Sequence, residues 1–416
     1  MIKLIETINY KCLRHIAQKL SNFHVLVGPN ASGKTTFLDV IAFLGSLVSD
    51  GVDKAISDRT QNFHDLVWKG ESDFFELAIE AEIPEKYIKT YNESTYKIIR
   101  YQVRIGLMKT NEIGILEEKL LLKPSIKRLI RNSGLLIDNE PSPPQSLFTK
   151  DLTGIKTILC KTPKGNDHFN SEVPVKEKKW SPSFKFGAKK TALANLPEDK
   201  SMFPVTMWFK KLLTQGIQKI VLNSQLIRVA SPPGQPKMFK SDGSNLPWVI
   251  EELRTTDKDR FRDWIKHIQC ALPDIIDIIT IEFPDNKHRY LKIVYKNNIE
   301  VPSWMASDGT LRFLALTLLA YLQNFNGIYL IEEPENGIHP SAMESVYQSL
   351  SSVYDAQIFL ATHSPVILSM SKTSDVLCFN KTDGGATVIV SGNEHPALKD
   401  WKNNPNLSIL FAGGVL

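Results

Sequence analysis

The segment Gly28-Pro29-Asn30-Ala31-Ser32-Gly33-Lys34-Thr35 constrains this chain more than any other. It fits the pattern G-x-x-x-x-G-K-S/T and lies between an apolar strand-like run, Phe23 to Val27, and an apolar helical stretch, Thr35 to Leu47. A strand, a glycine-bearing turn and a helix in that order curl backbone N–H groups around an anion at the positive end of the helix. The spacing predicts a phosphate cradle running from Gly28 through Thr35 to the adjacent Thr36. Lys34 is expected to reach the β and γ phosphates of ATP, and the Thr35 hydroxyl to ligate Mg²⁺.

Three further segments fit such a cradle. Gly327-Ile328-Tyr329-Leu330-Ile331-Glu332-Glu333 reads as a buried strand delivering two carboxylates at its C-terminal end, where open α/β sheets bind ligands. Successive strand side chains point to opposite faces, so the two acids cannot do the same job. Glu332 is expected to join the Mg²⁺ shell, and Glu333 to orient and polarise the attacking water. Gln357-Ile358-Phe359-Leu360-Ala361-Thr362-His363-Ser364 is another apolar strand with a polar end, and His363 is the candidate to touch the γ-phosphate. Ser307-Asp308-Gly309-Thr310 opens a helix and offers Ser307 and Gly309 to an anion. The same letters make an ordinary N-cap, and on those residues alone the cap is the simpler account.

Strands are expected at Ile2 to Asn9 and Phe23 to Val27, with an antiparallel sheet from the β-rich runs between Phe74 and Leu122. Helices are expected at 246–255, 261–271, 310–323 and 341–353, and strands at 275–283, 290–295, 327–332, 357–361 and 387–391. The organisation expected is residues 1–122 as the first part of an α/β core, 123–235 as an inserted basic lobe, and 236–416 as the second part of the core. Between Lys119 and Lys190 fifteen Lys or Arg face six Asp or Glu, about +9 in a chain of net charge +5, so the basic excess is local. Interleaved aromatics, as in Lys178-Lys179-Trp180 and Phe184-Lys185-Phe186, suit DNA contact, with a solvated loop or a docking face for an acidic partner as alternatives. Cys12, Cys160, Cys270 and Cys378 have no metal-binding spacing. No stretch approaches the roughly 18 to 20 apolar residues of a bilayer span, and the start lacks a signal peptide, so a cytoplasmic protein without a membrane partner is expected.

Together and in this order, the four elements resemble the ABC ATPase superfamily, within it the soluble branch of SMC proteins, RecF and the overcoming-lysogenization-defect (OLD) ATPases. Gly28 to Thr35 looks like its Walker A motif, Ser307 to Thr310 its signature motif, Ile328 to Glu333 its Walker B motif and His363 its switch histidine. Ile331 to Pro340, with Ala361-Thr362-His363-Ser364-Pro365, is similar to the stand-alone predicted ATPases of that branch, as are Asp242 to Pro247 and Ser408 to Val415. The resemblance implies an ABC-type P-loop core with an antiparallel β subdomain, and hydrolysis of ATP in a head-to-tail homodimer or higher assembly. It also implies control of a separate effector such as a nuclease, as in anti-phage ATPase subunits. A RecF-like repair ATPase and a transporter subunit are the alternatives. Glu332 stands where most ABC proteins have Asp, and His339 where many have the D-loop Asp. The Q-loop glutamine is unassigned, and no Toprim nuclease segment is expected after His363.

Overall fold

Strands built from alternating residues recur among the described residues of the first half of the chain. The computed structural model describes residues 1–88, 96–124, 143–149, 154–162, 166–173, 183–323 and 325–395. It divides into two units, one of residues 1–21, 28–217 and 378–390, the other of residues 22–27, 218–377 and 391–416. The division falls elsewhere than the boundaries expected at 122 and 235.

The first unit carries an antiparallel sheet in the order Leu13–Lys19, Ile2–Tyr10, Phe74–Glu82, Ile98–Leu107, Ile113–Lys123, Lys156–Lys161, Asp167–Phe169, Ser183–Phe184. Along Phe74–Glu82 the side chains alternate between Phe75, Leu77, Ile79 and Ala81 on one face and Glu76, Ala78 and Glu80 on the other, and Phe75 through Ala81 are all buried. Most of the polar face is paired internally, although Glu80 Oε2 and Arg100 Nε are buried without a hydrogen-bond partner among the described residues. Arg100 bridges Glu6 and Glu80, while the Leu147 N–H donates to Glu76 at 2.6 Å and its carbonyl accepts from Arg100 at 3.1 Å and Gln102 at 2.6 Å. Most buried polar groups keep such partners.

The apolar helix Lys34–Ser49 packs its Phe43 against Tyr10 and Phe75, with ring centroids 5.7 and 5.6 Å away. Asp39 on its outer side accepts from Tyr10, Lys11 and Arg59, each at 2.7 Å, tying the helix to the turn after the first strand.

Two local outcomes differ from the sequence expectation. A strand at Leu13–Lys19 pairs back on Ile2–Tyr10, with Asn9 and Lys11 left-handed at the turn. It buries only Leu13, Ile16 and Gln18, too sparse an apolar pattern to signal a strand. The described strands after Lys123 continue the sheet, and helix Pro204–Gln215 packs on the helix Lys34–Ser49. The Glu118 carboxylate, fully buried, accepts the Tyr101 hydroxyl and the Ala192 and Leu193 N–H groups, which seats that segment. Lys176, Lys178, Lys179 and Trp180 lie outside the described residues, as does Ser408 to Val415.

In the second unit, strands Ile328–Glu332, Gln357–Ala361 and Phe23–Val27 run parallel, with Glu332 opposite Ala361 and Ala361 opposite Leu26. Helix Pro340–Ser351 crosses between the first two and buries Ala342, Met343, Val346 and Leu350. Helix Asp308–Leu318 packs on it, shorter at its C-terminal end than expected because a turn bonds the Tyr321 N–H to the Leu318 carbonyl. Helices Leu246–Thr256 and Lys258–Ala271 pack beside an antiparallel sheet of Ile275–Glu282, Arg289–Tyr295 and Ile299–Pro302. The result is the expected α/β architecture with an antiparallel subdomain. Among the described residues no helix is long and apolar enough to cross a membrane.

Burial works against the Asp39 carboxylate, but the hydrogen bond and charge of Arg59 and the charge of Lys11 outweigh it and hold its pKa below the ordinary range. A carboxylate with a depressed folded pKa stabilises above its unfolded value and loses that contribution as pH falls through the folded value. Asp39→Asn should therefore cost about 2 kcal/mol near neutrality. In urea unfolding across a pH series, the gap from the parent should close on acidification below the carboxylate range; a gap independent of pH would contradict the charge assignment.

Candidate functional site

Backbone geometry builds the glycine loop of the first unit. Gly28 has φ 145°, and a Cβ there would lie 2.1 Å from the Phe379 carbonyl oxygen. Gly33 has φ 107°, and its Cβ would lie 2.3 Å from Thr387 Oγ1. Neither position admits a side chain. Ala31 is left-handed at φ 60°, and the Thr387 hydroxyl pins the loop by donating to the Ser32 carbonyl at 2.9 Å. Thr36 Oγ1 accepts from Cys12 Sγ at 3.4 Å. Lys34 is buried, and its ammonium donates to the carbonyls of Gly28 at 2.8 Å and Pro29 at 2.9 Å.

Two observations fit a polyphosphate there. The Ser32 hydroxyl is buried without a hydrogen-bond partner among the described residues. The first turn of the following helix holds no acidic residue and no side-chain cap, so its own residues put no negative charge on its positive end. Lys34 and Thr35 both lie in the first turn of this helix.

The second unit presents the carboxylates. Strand Phe23–Val27, which leads into the glycine loop, and the strands of Glu332 and Ala361 end at one sheet edge. Glu332 is ion-paired with Lys219 at 2.8 Å. Glu333 takes a left-handed φ of 48° immediately after the strand, its N–H bonded to the Ala361 carbonyl at 2.8 Å. Its carboxylate accepts from the Asn336 amide at 2.6 Å. Glu335 reaches across to the neighbouring strand end, accepting the His363 N–H at 2.7 Å and the Thr362 hydroxyl at 2.9 Å. His363 thus leaves the same edge as the two acids, half-buried, before the Ser364-capped helix Pro365–Met370.

Ser307 does cap helix Asp308–Leu318, its hydroxyl accepting the Thr310 N–H at 3.1 Å. Asp308 pairs with Arg228 at 2.6 Å. The structure therefore gathers Glu332, Glu333 and His363 at one edge of the second unit, and Gly28 through Thr36 in one turn of the first.

Sequence reading missed Lys219, Glu335, Asn336 and Thr387. Glu335 and Asn336 lie in the Pro334 to Pro340 run already singled out, so their presence was legible but not their partners. Lys219 sits on the short strand Ile217–Ile220, and Thr387 is remote in sequence; neither carries a pattern.

The family described as "AAA domain, putative AbiEii toxin, Type IV TA system" matches residues 23–369. The "Retron Vc95 probable ATPase" of Vibrio cholerae serotype O1 biovar El Tor is 23% identical over 159 residues, covering 34% of this chain, and this chain spans only 31% of that relative. An Smc head bound to the C-winged helix domain of ScpA is similar at TM-score 0.55 and 14% identity, covering 94% of this chain and 97% of that one. An Smc head domain with an extended coiled coil bound to the C-terminal domain of ScpA, derived from Pyrococcus furiosus, is similar at TM-score 0.51 and 12% identity, covering 94% and 95%. At these identities the solved structures show the fold, an SMC-head-like P-loop architecture.

Proposed function

This chain belongs to that AAA domain family, and from that premise we propose that it is an ATPase whose sites are completed by a second copy and whose nucleotide state controls a separate effector in defence against invading DNA. The observation that carries the reading is the shared edge of the parallel strands. There Glu332, Glu333 and His363 leave the sheet beside the strand that runs into Gly28.

On this reading Gly28 to Thr36 wrap the phosphates, and Lys34 exchanges its bonds to the Gly28 and Pro29 carbonyls for bonds to phosphate oxygens. Thr35 and Glu332 would hold Mg²⁺, which when bound would draw charge from the phosphates. Glu332, paired with Lys219 at 2.8 Å, would serve that ion through its carboxylate. Glu333, braced by Asn336, orients a water in line with the γ-phosphorus and accepts its proton on a carboxylate oxygen. The His363 imidazole contacts the γ-phosphate, its backbone held by Glu335. Ser307 and Gly309 contribute to the site of the other copy. The defence setting draws support from the family description and from the retron ATPase that the chain partly matches.

Lys34→Ala should abolish ATP binding, while Glu333→Gln should keep it and lower turnover by about a hundred-fold or more, trapping the ATP state. Equilibrium binding and phosphate release read the two separately, and parental turnover in Glu333→Gln would remove Glu333 from the base role.

Sharing of sites has its own test. A mixed dimer of Lys34→Ala and Ser307→Arg chains puts both lesions in one site and leaves the other intact, so mixing two inactive proteins should restore up to half the activity of the parent in each mixed dimer. No recovery despite demonstrated mixing would mean that each chain works alone.

DNA contact by the basic stretch 119–190 predicts salt dependence, because neutralised phosphates release counterions. Reversing Lys176, Lys178, Lys179, Lys189 and Lys190 to Glu should weaken DNA binding and flatten its salt slope while ATP binding is kept. Unchanged DNA affinity would assign the stretch to a protein partner instead.

A further inference from the structure

The turn that opens helix Asp308–Leu318 is seated on the loop that follows the acidic strand, within the second unit. A Cβ on Gly309 would lie 2.4 Å from the Gly337 carbonyl oxygen and 3.7 Å from Ile338 Cα. The obstacle is backbone, which cannot swing aside as a flexible side chain can. Gly337 is left-handed at φ 76°, and a Cβ there would lie 3.6 Å from Arg312 Cδ, one helical turn beyond Gly309. The Arg312 guanidinium is fixed in turn, Nε donating to Ser224 Oγ at 3.0 Å. The helix therefore meets this loop at positions 309 and 312.

The loop also shapes the catalytic edge. Asn336, adjacent to Gly337, donates its side-chain amide to the Glu333 carboxylate at 2.6 Å and its backbone N–H to the Glu333 carbonyl at 3.1 Å. Glu333 is in a left-handed conformation, which an L residue keeps only when its surroundings impose it. A displacement of Gly337 moves Asn336, and with it the contact that aims the Glu333 carboxylate.

Resting on the ATPase reading above, we propose that Gly309 is a positioning residue for Glu333 of its own chain, acting through the Gly337 backbone and the Asn336 side chain, besides anything it offers to a second copy. Ser307 is the internal contrast. It is exposed and its hydroxyl serves only its own helix start, so a larger side chain there leaves the Gly309–Gly337 seat in place.

The test compares Gly309→Ala with Ser307→Arg in the full chain. Gly309→Ala should lose about a hundred-fold in kcat with little change in ATP affinity. Mixed with Lys34→Ala it should not be rescued, because the chain bearing the intact P-loop also bears the displaced base, whereas Ser307→Arg is rescued. Rescue of both would confine Gly309 to the partner's site and overturn the proposal. Rescue of neither would instead refute shared sites. Hydrogen exchange then decides independently of turnover: amides from 333 to 339 should exchange faster in Gly309→Ala and not in Ser307→Arg, with the other segments unchanged as the folding control. Equal exchange in both variants would overturn the positioning role even if the protein hydrolysed nothing.

Discussion

One carboxylate holds the functional edge together. Glu335 accepts the hydroxyl of Thr362 and the N–H of His363, so the loop after one parallel strand is bonded to the end of the next. Hydrogen bonds to a charged acceptor are worth roughly 1.5 to 3 kcal/mol each, enough to dominate the local geometry of two short loops. Sheet pairing brings Glu332 level with Ala361, and the Glu333 N–H still bonds to the Ala361 carbonyl. Beyond that, Glu335 ties the backbone of His363 to the loop after Glu333. The adjacent Asn336 and Gly337 inherit that position, so the acidic strand, the histidine and the helix start at Gly309 form one mechanical block.

The block explains which features could be read from the sequence. Gly28 and Gly33 were legible because their spacing ahead of Lys34 is a local pattern, although the neighbours that bar a side chain there, the Phe379 carbonyl and the Thr387 hydroxyl, are remote in sequence. Glu332 and Glu333 were legible because an apolar strand ending in two acids is a local pattern. Lys219 and Thr387 were not, since each meets its partner only after distant strands align, and neither residue type is unusual where it stands. Gly309 has a neighbour that the sequence could not show. A glycine in a helix-opening turn suggests room for an anion, but the tightest constraint on it here is the carbonyl of Gly337.

The basic stretch shows the same limit for charge. Composition counts every Lys and Arg alike, whereas folding spends several of them inside the first unit. Lys161 is buried against Asp167 at 3.0 Å, Lys123 pairs with Glu80, Lys156 donates to the Glu172 carbonyl at 2.8 Å, and Lys189 meets Asp53 at 2.6 Å. A lysine neutralised by a buried acid has little field left for phosphate, while an exposed pair such as Lys189 with Asp53 is worth only about 0 to 1 kcal/mol and can change partners. The local excess of positive charge is therefore an upper bound on what a polyanion would meet.

The same distinction separates the two catalytic candidates. Glu332 is held by Lys219, a partly exposed pair between side chains on strand ends, with side-chain exposures of 44% for the lysine and 23% for the acid. Such a contact is weak and reversible, about 1 kcal/mol or less, which suits the exchange proposed for a divalent cation. Glu333 is held differently. Its left-handed backbone is bonded through its N–H to Ala361, and its exposed carboxylate accepts from Asn336. A metal shell needs a ligand free to exchange, and a general base needs a carboxylate whose direction is set before the water arrives. The division of roles proposed for the adjacent glutamates rests on this difference: one is anchored through its side chain to an exposed lysine and the other through its backbone to the neighbouring strand.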